Sequence, residues 1–395
     1  MYKLHKIDGG LCVVDGFYAN GVSIGLKKEG AKDLAYIYSD RLCTMASVFT
    51  TNKMTAAPIR HYRAKGDFES NFILINSKNA NAMTAQAGID DIDEVLAELQ
   101  SRFEVIKNPI MSSTGVIGVR LPKDKIVGGF SQIDLSVRNS DAAAEAIMTT
   151  DTFSKQIAFE VELEDGKSFK IGAIAKGAGM INPAMATMLC FITTDADADK
   201  KTLQSILDEK VYTTFNAASV DGDTSTNDSV IVMSNRSSGA FDSEAFGEAL
   251  EQVMLFLAKE MVRDGEGATK LVTYKVTGAI NDDEAEIAAK ALSNSLLVKT
   301  ALYGEDPNWG RIASTIGASG IMCDEAFLSI WFDDVCVYKK GELLFNSDIE
   351  AKAAEVMKRS SFIIHCDIGL QNGSFVAYGC DLGHEYVKIN ADYRT

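Results

Sequence analysis

Several kinds of segment are scarce or missing in this chain of 395 residues. No apolar run approaches the roughly 20 residues that a membrane-spanning helix needs, and the start, MYKLHKIDGG, lacks the apolar core of a secretory signal peptide. No cluster of Lys and Arg is long enough to follow a phosphate backbone, and the formal charge is −16. We therefore expect no membrane partner, no nucleic-acid partner and a cytoplasmic location.

Cysteine and histidine patterns exclude further classes. The seven cysteines are widely spaced without a CxxC pair, and the four histidines show no ligand spacing. A disulfide framework and a metal site are therefore not expected. Proline is scarce, with five residues, and no Pro-rich linker divides the chain. Any boundary between lobes is therefore soft.

The residues that are present describe an ordinary globular chain, 46% apolar and 24% charged, of a length that suits two lobes or one large layered unit. The apolar run at 71–76 predicts a buried strand, and the spacing at 92–106 predicts an amphipathic helix. Asp165-Gly166 lies between two alternating segments and predicts a hairpin. Residues 242–265 contain the clearest helix, with Asp242 or Ser243 as its N-cap and Gly265 just past its end. Strands and helices alternate without a strict period, which favours mixed α/β or α+β layering.

One stretch, KGAGMINPAMATMLCF at 176–191, raises a question of chemistry. A threonine hydroxyl needs a base to become a nucleophile, and an N-terminal threonine can use its own α-amino group, whose pKa is roughly 7.7–8.0. Thr187 would gain that group if the chain were cut after Ala186, and the small residues before it leave room for such a reaction. Taken alone, the stretch favours an ordinary turn before a strand over a cleavage site.

Other segments supply candidate partners for this nucleophile. Thr114-Gly115 could aim a hydroxyl and a backbone N–H at one point, as an oxyanion hole requires. Glu266 lies between two glycines after the long helix, where its carboxylate could bind an ammonium group, although an exposed Glu is common. Asn390 and Thr395 follow a strand-like run at the end of the chain. The segment DPNWGRI at 306–312 indicates a helix start with a packed Trp.

Taken together, these segments resemble the glutamate N-acetyltransferases, also called ornithine acetyltransferases, of arginine biosynthesis. The matching motifs run in the family's order over almost the whole chain. They are SVFTTNKMTAAP (47–58), NSKNANA (76–82), STGVIG, MTTDT (148–152), KGAGMINPAMATML, VDGDTSTND (220–228), RDGEGATK, GEDPNWGRI and the final INADYRT.

The resemblance implies self-cleavage between Ala186 and Thr187, which would give a first chain of residues 1–186 and a second chain of residues 187–395. Thr187 would be the nucleophile, and Thr114 and Gly115 would form the oxyanion hole. The implied substrate-binding residues are Thr149, Lys176, Thr187, Glu266, Asn390 and Thr395. Within MTTDT we favour Thr149, while Thr150 and Thr152 stay open.

The implied reaction is a ping-pong transfer of acetyl from N-acetylornithine to glutamate through acetyl-Thr187, releasing ornithine and N-acetylglutamate. Lys176 suits the α-carboxylate of both substrates, and Glu266 suits the side-chain ammonium of ornithine. No cofactor is implied, although acetyl-CoA could be a second acetyl donor. By resemblance, the fold is an α/β sandwich of mixed sheets between helix layers, assembled as a dimer of two-chain units (α2β2).

One motif departs from the family. Lys78 stands where glycine is usual, and Met83–Gln86 replaces the usual CTG, which adds bulk and charge near the site. Two other functions remain as alternatives. A threonine amidase or aminopeptidase would release free acetate, and a non-enzymatic binding protein would stay in one piece.

Overall fold

The computed structural model describes residues 1–182 and 188–392, which contain fifteen strands and eleven helices. The strands are β1 (Tyr2–Ile7), β2 (Phe17–Val22), β3 (Leu34–Phe49), β4 (Ser70–Asn76), β5 (Ile110–Ser113), β6 (Lys155–Leu163), β7 (Ser168–Lys176), β8 (Leu189–Thr194), β9 (Ser229–Ser234), β10 (Leu271–Ala279), β11 (Ser329–Phe332), β12 (Val335–Lys339), β13 (Glu342–Leu343), β14 (Ser361–Asp367) and β15 (Gly373–Cys380). The helices are α1 (Ala57–Ala64), α2 (Ala85–Arg102), α3 (Lys123–Gly129), α4 (Ser140–Ile147), α5 (Lys200–Thr213), α6 (Ser243–Arg263), α7 (Asp282–Asn294), α8 (Leu296–Tyr303), α9 (Trp309–Ala318), α10 (Ser347–Met357) and α11 (His384–Asp392).

The described strands form two mixed sheets. The larger sheet has nine strands in the order β1-β6-β7-β8-β9-β3-β4-β5, with β2 also paired to β3. Strand β3 is long enough to pair with β9 through its second half and with β2 and β4 through its first half. The smaller sheet has six strands in the order β13-β12-β11-β14-β10-β15.

Alternation along the central strands places helices on both faces of the larger sheet. In β7, Ile171, Ala173 and Ala175 pack in the core that includes α6, whereas Ile174 packs with α4 on the opposite face. This division follows from the strand period of two, which sends successive side chains to opposite faces. The larger sheet therefore lies between α4 on one side and α5 with α6 on the other.

Helix α6 joins the two sheets. It contacts β6 and β7 of the larger sheet and β10 and β15 of the smaller sheet. Its N-cap is Asp242, one of the two predicted candidates, and the Asp242 carboxylate accepts the N–H of Ala245 at 2.9 Å. Eleven of its residues are buried, so one continuous core runs between the sheets.

The predicted fold class is confirmed, because mixed sheets are layered with helices. The strand at 71–76, the hairpin at Asp165-Gly166 and the helix start at 306–312 are also confirmed. The run before Asn390 was expected to be strand-like, but that residue lies in helix α11. No helix among residues 1–182 and 188–392 is long and apolar enough to cross a bilayer.

Candidate active site

Lys176 is the last residue of β7, and it pairs in register with Leu189, the first residue of β8. Residues 177–188 therefore connect two neighbouring antiparallel strands. The Lys176 side chain is almost fully enclosed, with 1% of the residue exposed, and its Nζ lies 3.3 Å from Oγ1 of Thr114. A buried ammonium group thus meets the predicted oxyanion hole at the start of this connection.

The Thr114-Gly115 step directly follows β5. Gly115 has φ of +135°, and a Cβ at this position would lie 2.3 Å from the carbonyl carbon of Lys78. Only glycine fits here, because backbone cannot move aside as a flexible side chain can. The Thr114 hydroxyl accepts from Lys176, so its own proton is left to donate.

Asn227 holds this turn from the side. Its Nδ2 donates to the carbonyl oxygens of Ala80 at 2.6 Å and Ser113 at 2.8 Å. Ser113 in turn donates through its hydroxyl to Oδ1 of Asn76 at 2.6 Å. These bonds are buried, so they fix the position of the residue that precedes Thr114.

Two aspartates bind the first part of the connection between β7 and β8. Asp151 accepts the N–H of Gly177 at 2.6 Å. Asp221 accepts the N–H of Met180 at 2.6 Å and the N–H of Ile181 at 2.9 Å. Backbone N–H groups outside helices and strands need hydrogen-bond acceptors, and a carboxylate is a strong one. Asp151 and Asp221 therefore orient the backbone between Gly177 and Ile181.

Asp228 binds the other end of the connection. Its Oδ1 accepts the N–H of Met188 at 3.0 Å, while its Oδ2 is buried without a hydrogen-bond partner among the described residues. Burial raises the pKa of Asp228 well above its ordinary value, although the Met188 N–H and the Lys176 ammonium act in the opposite direction. This carboxyl group therefore takes up a proton at higher pH than an exposed aspartate does.

Glu266 lies against the same connection. Its backbone N–H donates to the carbonyl of Ala178 at 2.8 Å, and a Cβ at Gly179 would lie 2.5 Å from the carboxyl carbon of Glu266. Asn390 donates through Nδ2 to Oε2 of Glu266 at 2.7 Å and to the carbonyl of Tyr386 at 3.0 Å. The structure thus brings Glu266, Asn390 and the connection together.

Thr149 is half-buried near the first part of the connection. Its backbone N–H donates to Oδ2 of Asp151 at 2.9 Å, and Oδ1 of Asp151 is the atom that binds Gly177. The hydroxyl of Thr152, in contrast, is hydrogen-bonded to the carboxylate of Asp264. Thr152, one of the two alternatives to Thr149 for substrate binding, therefore already uses its hydroxyl in a contact within the protein.

The buried charges influence one another. Burial alone would raise the pKa of Asp151, but the ammonium groups of Lys176 and Lys155 hold it at about 2. Burial lowers the pKa of Lys176, and the Asp151 carboxylate opposes that shift. The site therefore carries an ionised carboxylate at its base beside a lysine that loses its proton more readily than usual.

The structure brings together Thr114, Gly115 and Lys176, and it pairs Glu266 with Asn390. Ala186, Thr187 and Thr395 lie outside the described residues, so their predicted roles stay predictions. The roles of several polar residues were missed from the sequence, although they lie in motifs that carried the resemblance: Asp151, Asp221, Asn227 and Asp228. In the described part of the chain, no group of three or more His, Cys, Asp or Glu is arranged to hold a metal ion.

A sequence model described as the ArgJ family matches residues 18–395. The chain belongs to the ArgJ family. The resemblance stated from the sequence is therefore confirmed, and this ArgJ-family chain is an acyltransferase.

Similar ArgJ-family proteins extend over the whole chain. It is 59% identical over 396 residues to the "Arginine biosynthesis bifunctional protein ArgJ" of Wolinella succinogenes, with 100% of both chains covered. It is 43% identical over 405 residues to the "Glutamate N-acetyltransferase" of Methanothermobacter thermautotrophicus, with 100% of this chain and 99% of the relative covered.

Two solved structures match parts of this ArgJ-family chain. The bifunctional ArgJ protein of Bacillus halodurans has a TM-score of 0.49 and 41% identity, covering 51% of this chain and 97% of its own. The ornithine acetyltransferase of Mycobacterium tuberculosis, complexed with ornithine, has a TM-score of 0.39 and 31% identity, covering 48% of this chain and 100% of its own.

Lys78, where the sequence resemblance leads us to expect a glycine, has a left-handed backbone conformation. Lys78 has φ of +70°, and Met83 in the following replaced stretch has φ of +57°. Glycine adopts such left-handed conformations freely, whereas a side chain costs about 1–2 kcal/mol there. Lys78 and Met83 therefore adopt backbone conformations that favour glycine.

Proposed function

We propose that the chain cuts itself between Ala186 and Thr187 and then transfers acetyl from N-acetylornithine to glutamate through Thr187. The observation that supports this most is the buried Lys176 ammonium 3.3 Å from the Thr114 hydroxyl, at the start of the connection that carries Thr187. The name of the similar protein from Methanothermobacter thermautotrophicus, glutamate N-acetyltransferase, agrees with this reaction.

Self-cleavage would begin when the Thr187 hydroxyl attacks the carbonyl carbon of Ala186. The peptide C–N bond breaks, an ester to the threonine oxygen forms, and the proton passes to the freed amine. Water then hydrolyses the ester, which leaves a carboxylate on Ala186 and a free α-amino group on Thr187. This amine has a pKa of roughly 7.7–8.0, so it can serve as a base near neutral pH.

Acetyl transfer would proceed in two half-reactions. The α-amine of Thr187 takes the hydroxyl proton while the oxygen attacks the acetyl carbonyl of N-acetylornithine, and it then gives the proton to the departing ornithine amine. Glutamate's amine attacks the acetyl-threonine by the reverse steps, giving N-acetylglutamate. The Thr114 hydroxyl and the Gly115 N–H would stabilise the oxyanion in both halves.

Lys176 would bind the α-carboxylate that both substrates share, and Glu266, supported by Asn390, would bind the ornithine ammonium. Thr149 and Thr395 would complete the substrate contacts. Lys176 is 1% exposed in the uncut chain, so we propose that substrates reach it only after cleavage. The order of events would then be cleavage first and acetyl transfer second.

The two products of cleavage, residues 1–186 and 187–395, would stay together as one unit. Strand β7 lies in the first and β8 in the second, and they pair from Ile171 with Thr194 to Lys176 with Leu189. Strand β3 of the first also pairs with β9 of the second. Because these ladders are central to one sheet, we propose that separation requires unfolding, and that two such units assemble as α2β2.

Two variants of the reaction remain. Acetyl-CoA could load the same threonine and acetylate glutamate directly, since an acyl-enzyme can form from either donor. A threonine amidase would instead pass the acetyl group to water. The charged groups Lys176 and Glu266 favour an amino-acid acceptor over water, so acetyl transfer is the function that we propose.

A denaturing gel and mass spectrometry test the proposal together. Wild-type protein should give two bands, with a second chain that begins at Thr187, and Thr187→Ala should stay in one piece. Mixing the wild type with N-acetylornithine should add one acetyl group to the peptide that begins at Thr187. A single persistent band would contradict self-cleavage, and free acetate without N-acetylglutamate would contradict the acetyl transfer.

A further inference from the structure

Lys155, the first residue of β6, is a buried cation outside the predicted substrate contacts. Its Nζ lies 2.9 Å from Oδ1 of Asp151 and 2.5 Å from Oδ2 of Asp264. The side chains of Lys155 and Asp151 are 0% exposed and that of Asp264 is 1% exposed. One ammonium group thus joins two carboxylates in an interior from which water is excluded.

The carboxylate of Asp151 is shared between two predicted parts of the site. It accepts the N–H of Thr149 at 2.9 Å and the N–H of Gly177, the residue after Lys176, at 2.6 Å. Lys155 therefore binds the carboxylate that orients both the 149–152 loop and the end of β7.

Asp264 connects Lys155 to a third part of the predicted site, the segment that carries Glu266. It is the residue directly after α6, two positions before Glu266, and it accepts the N–H of Thr152 at 3.0 Å through Oδ2. The Lys155 ammonium therefore links the segments that carry Thr149, Lys176 and Glu266.

The cost of this arrangement argues for a role other than stability. Removing an ion from water costs several kcal/mol, and well-packed apolar residues often replace buried ion pairs without loss of stability. Lys155 and Lys176 are balanced by Asp151 and Asp264, so the cluster has no net charge. A balanced, enclosed cluster can hold three loops in one geometry, because each bond is strong and directional in a dry interior.

We propose that Lys155 is a positioning residue, which acts through Asp151 and Asp264 to hold Thr149, Lys176 and Glu266 in their substrate-binding arrangement and to keep the charge around Lys176 balanced. This inference rests on the proposed acetyl transfer, because it assigns a role toward the same substrates. Lys155 itself touches none of the proposed substrate contacts at its Nζ, which bonds to the two carboxylates and to the carbonyl of Phe153 at 3.2 Å.

Several charged groups act on Lys176. Asp151, Asp228 and Glu266 favour its charged form, whereas Lys155 and burial disfavour it. Lys27 is a further cation whose charge is coupled to that of Lys176. Removing the Lys155 charge should therefore let Lys176 keep its proton to higher pH.

Lys155→Met, alone and combined with Asp264→Asn, tests both parts of the role. In Lys155→Met, KM for N-acetylornithine should rise about tenfold, because displacements near 1 Å weaken substrate contacts strongly. The alkaline limb of its kcat/KM profile should move up by about one pH unit. In the double variant that limb should return to the wild-type pH, since charge balance is restored, while KM should stay raised, since the bridge is still missing.

Lys299→Met is the matched control. Lys299 is a buried lysine, 2% exposed, whose Nζ donates to the carbonyl of Cys380 at 2.6 Å. Its loss should lower thermal stability without moving the pH profile. If Lys155→Met does not fold, Lys155→Gln takes its place, because glutamine keeps a donor and removes the charge.

A folded Lys155→Met or Lys155→Gln protein with wild-type KM and pH profile would overturn the inference. The inference would also be overturned if the Lys155 variants lost only thermal stability, by the same amount as Lys299→Met. Failure of the proposed function has a different signature, because the wild-type protein itself would then transfer no acetyl group.

Discussion

Gly179→Ala tests whether the position of Glu266 sets the affinity for N-acetylornithine. The added Cβ would lie 2.5 Å from both Cδ and Oε1 of Glu266. Ordinary contact between heavy atoms needs about 3.5–4 Å, so the carboxylate must move by about 1 Å. Lengthening an ammonium–carboxylate distance from about 3 to about 4 Å at an effective dielectric constant of about 20 weakens the attraction by about 1.4 kcal/mol, or about tenfold in KM.

The assay separates the two substrates. KM for N-acetylornithine should rise about tenfold, by the same arithmetic, whereas KM for glutamate should change less than about threefold, because glutamate has no side-chain ammonium for Glu266 to bind. Gly128→Ala is the matched control, since a Cβ there meets nothing within 4 Å. Its kinetic constants should equal those of the wild type.

A double-mutant cycle identifies the route of the effect. If Gly179→Ala acts by displacing the carboxylate, it should have no further effect in a Glu266→Ala background. Additive effects, or an equal rise of KM for both substrates, would refute the reasoning.

The remaining predictions concern single polar groups. Asn390→Ala removes the 2.7 Å bond to Glu266 and should raise KM for N-acetylornithine about fivefold, which corresponds to about 1 kcal/mol for one exposed hydrogen bond. Asp151→Asn removes a carboxyl whose pKa falls from 3.8 to about 2 on folding. The wild type should therefore be more stable than this variant by about 2 kcal/mol near pH 7. Unfolding midpoints should show this advantage disappearing as the pH falls from 3.8 to about 2. For Asp228→Asn the sign is opposite. The pKa of Asp228 is raised on folding, so its contribution falls as the pH rises above 3.8, and the variant's melting temperature should depend less on pH. An unchanged pH dependence would contradict the raised pKa of Asp228.

Local patterns predicted many elements well. The turn at Asp165-Gly166 depends on neighbouring residues only, so the sequence was sufficient to predict it. For the N-cap of α6 the sequence offered Asp242 and Ser243, and the structure shows that Asp242 is the cap. The helix that contains Asn390 was missed, because α11 buries no residue and so has no strong apolar periodicity to report it. The Asn390 side chain in this helix donates a hydrogen bond to Glu266, which is 124 positions away in the sequence.

The candidate site was predicted unevenly for the same reason. The motifs pointed to Thr114, Lys176 and Glu266, but the aspartates that orient them were not recognised. In the sequence, an aspartate that binds a distant backbone or side-chain group looks the same as an aspartate that is exposed to solvent. Asp151 meets Gly177 across 26 positions and Asp264 meets Lys155 across 109, and no local pattern encodes such pairs.

The sequence by itself determined several strands, the long helix α6 and the family, because periodicity, capping and motif order are written along the chain. It also determined that Thr187, whose role stays a proposal, follows Ala186 in a stretch that contains several glycines and alanines. Only the tertiary structure decided that Lys176 is enclosed beside Thr114, that Glu266 lies over Gly179, and that Lys155 joins two carboxylates. These contacts join residues that are far apart in the sequence, and the burial of their charged groups arises only when distant segments pack together.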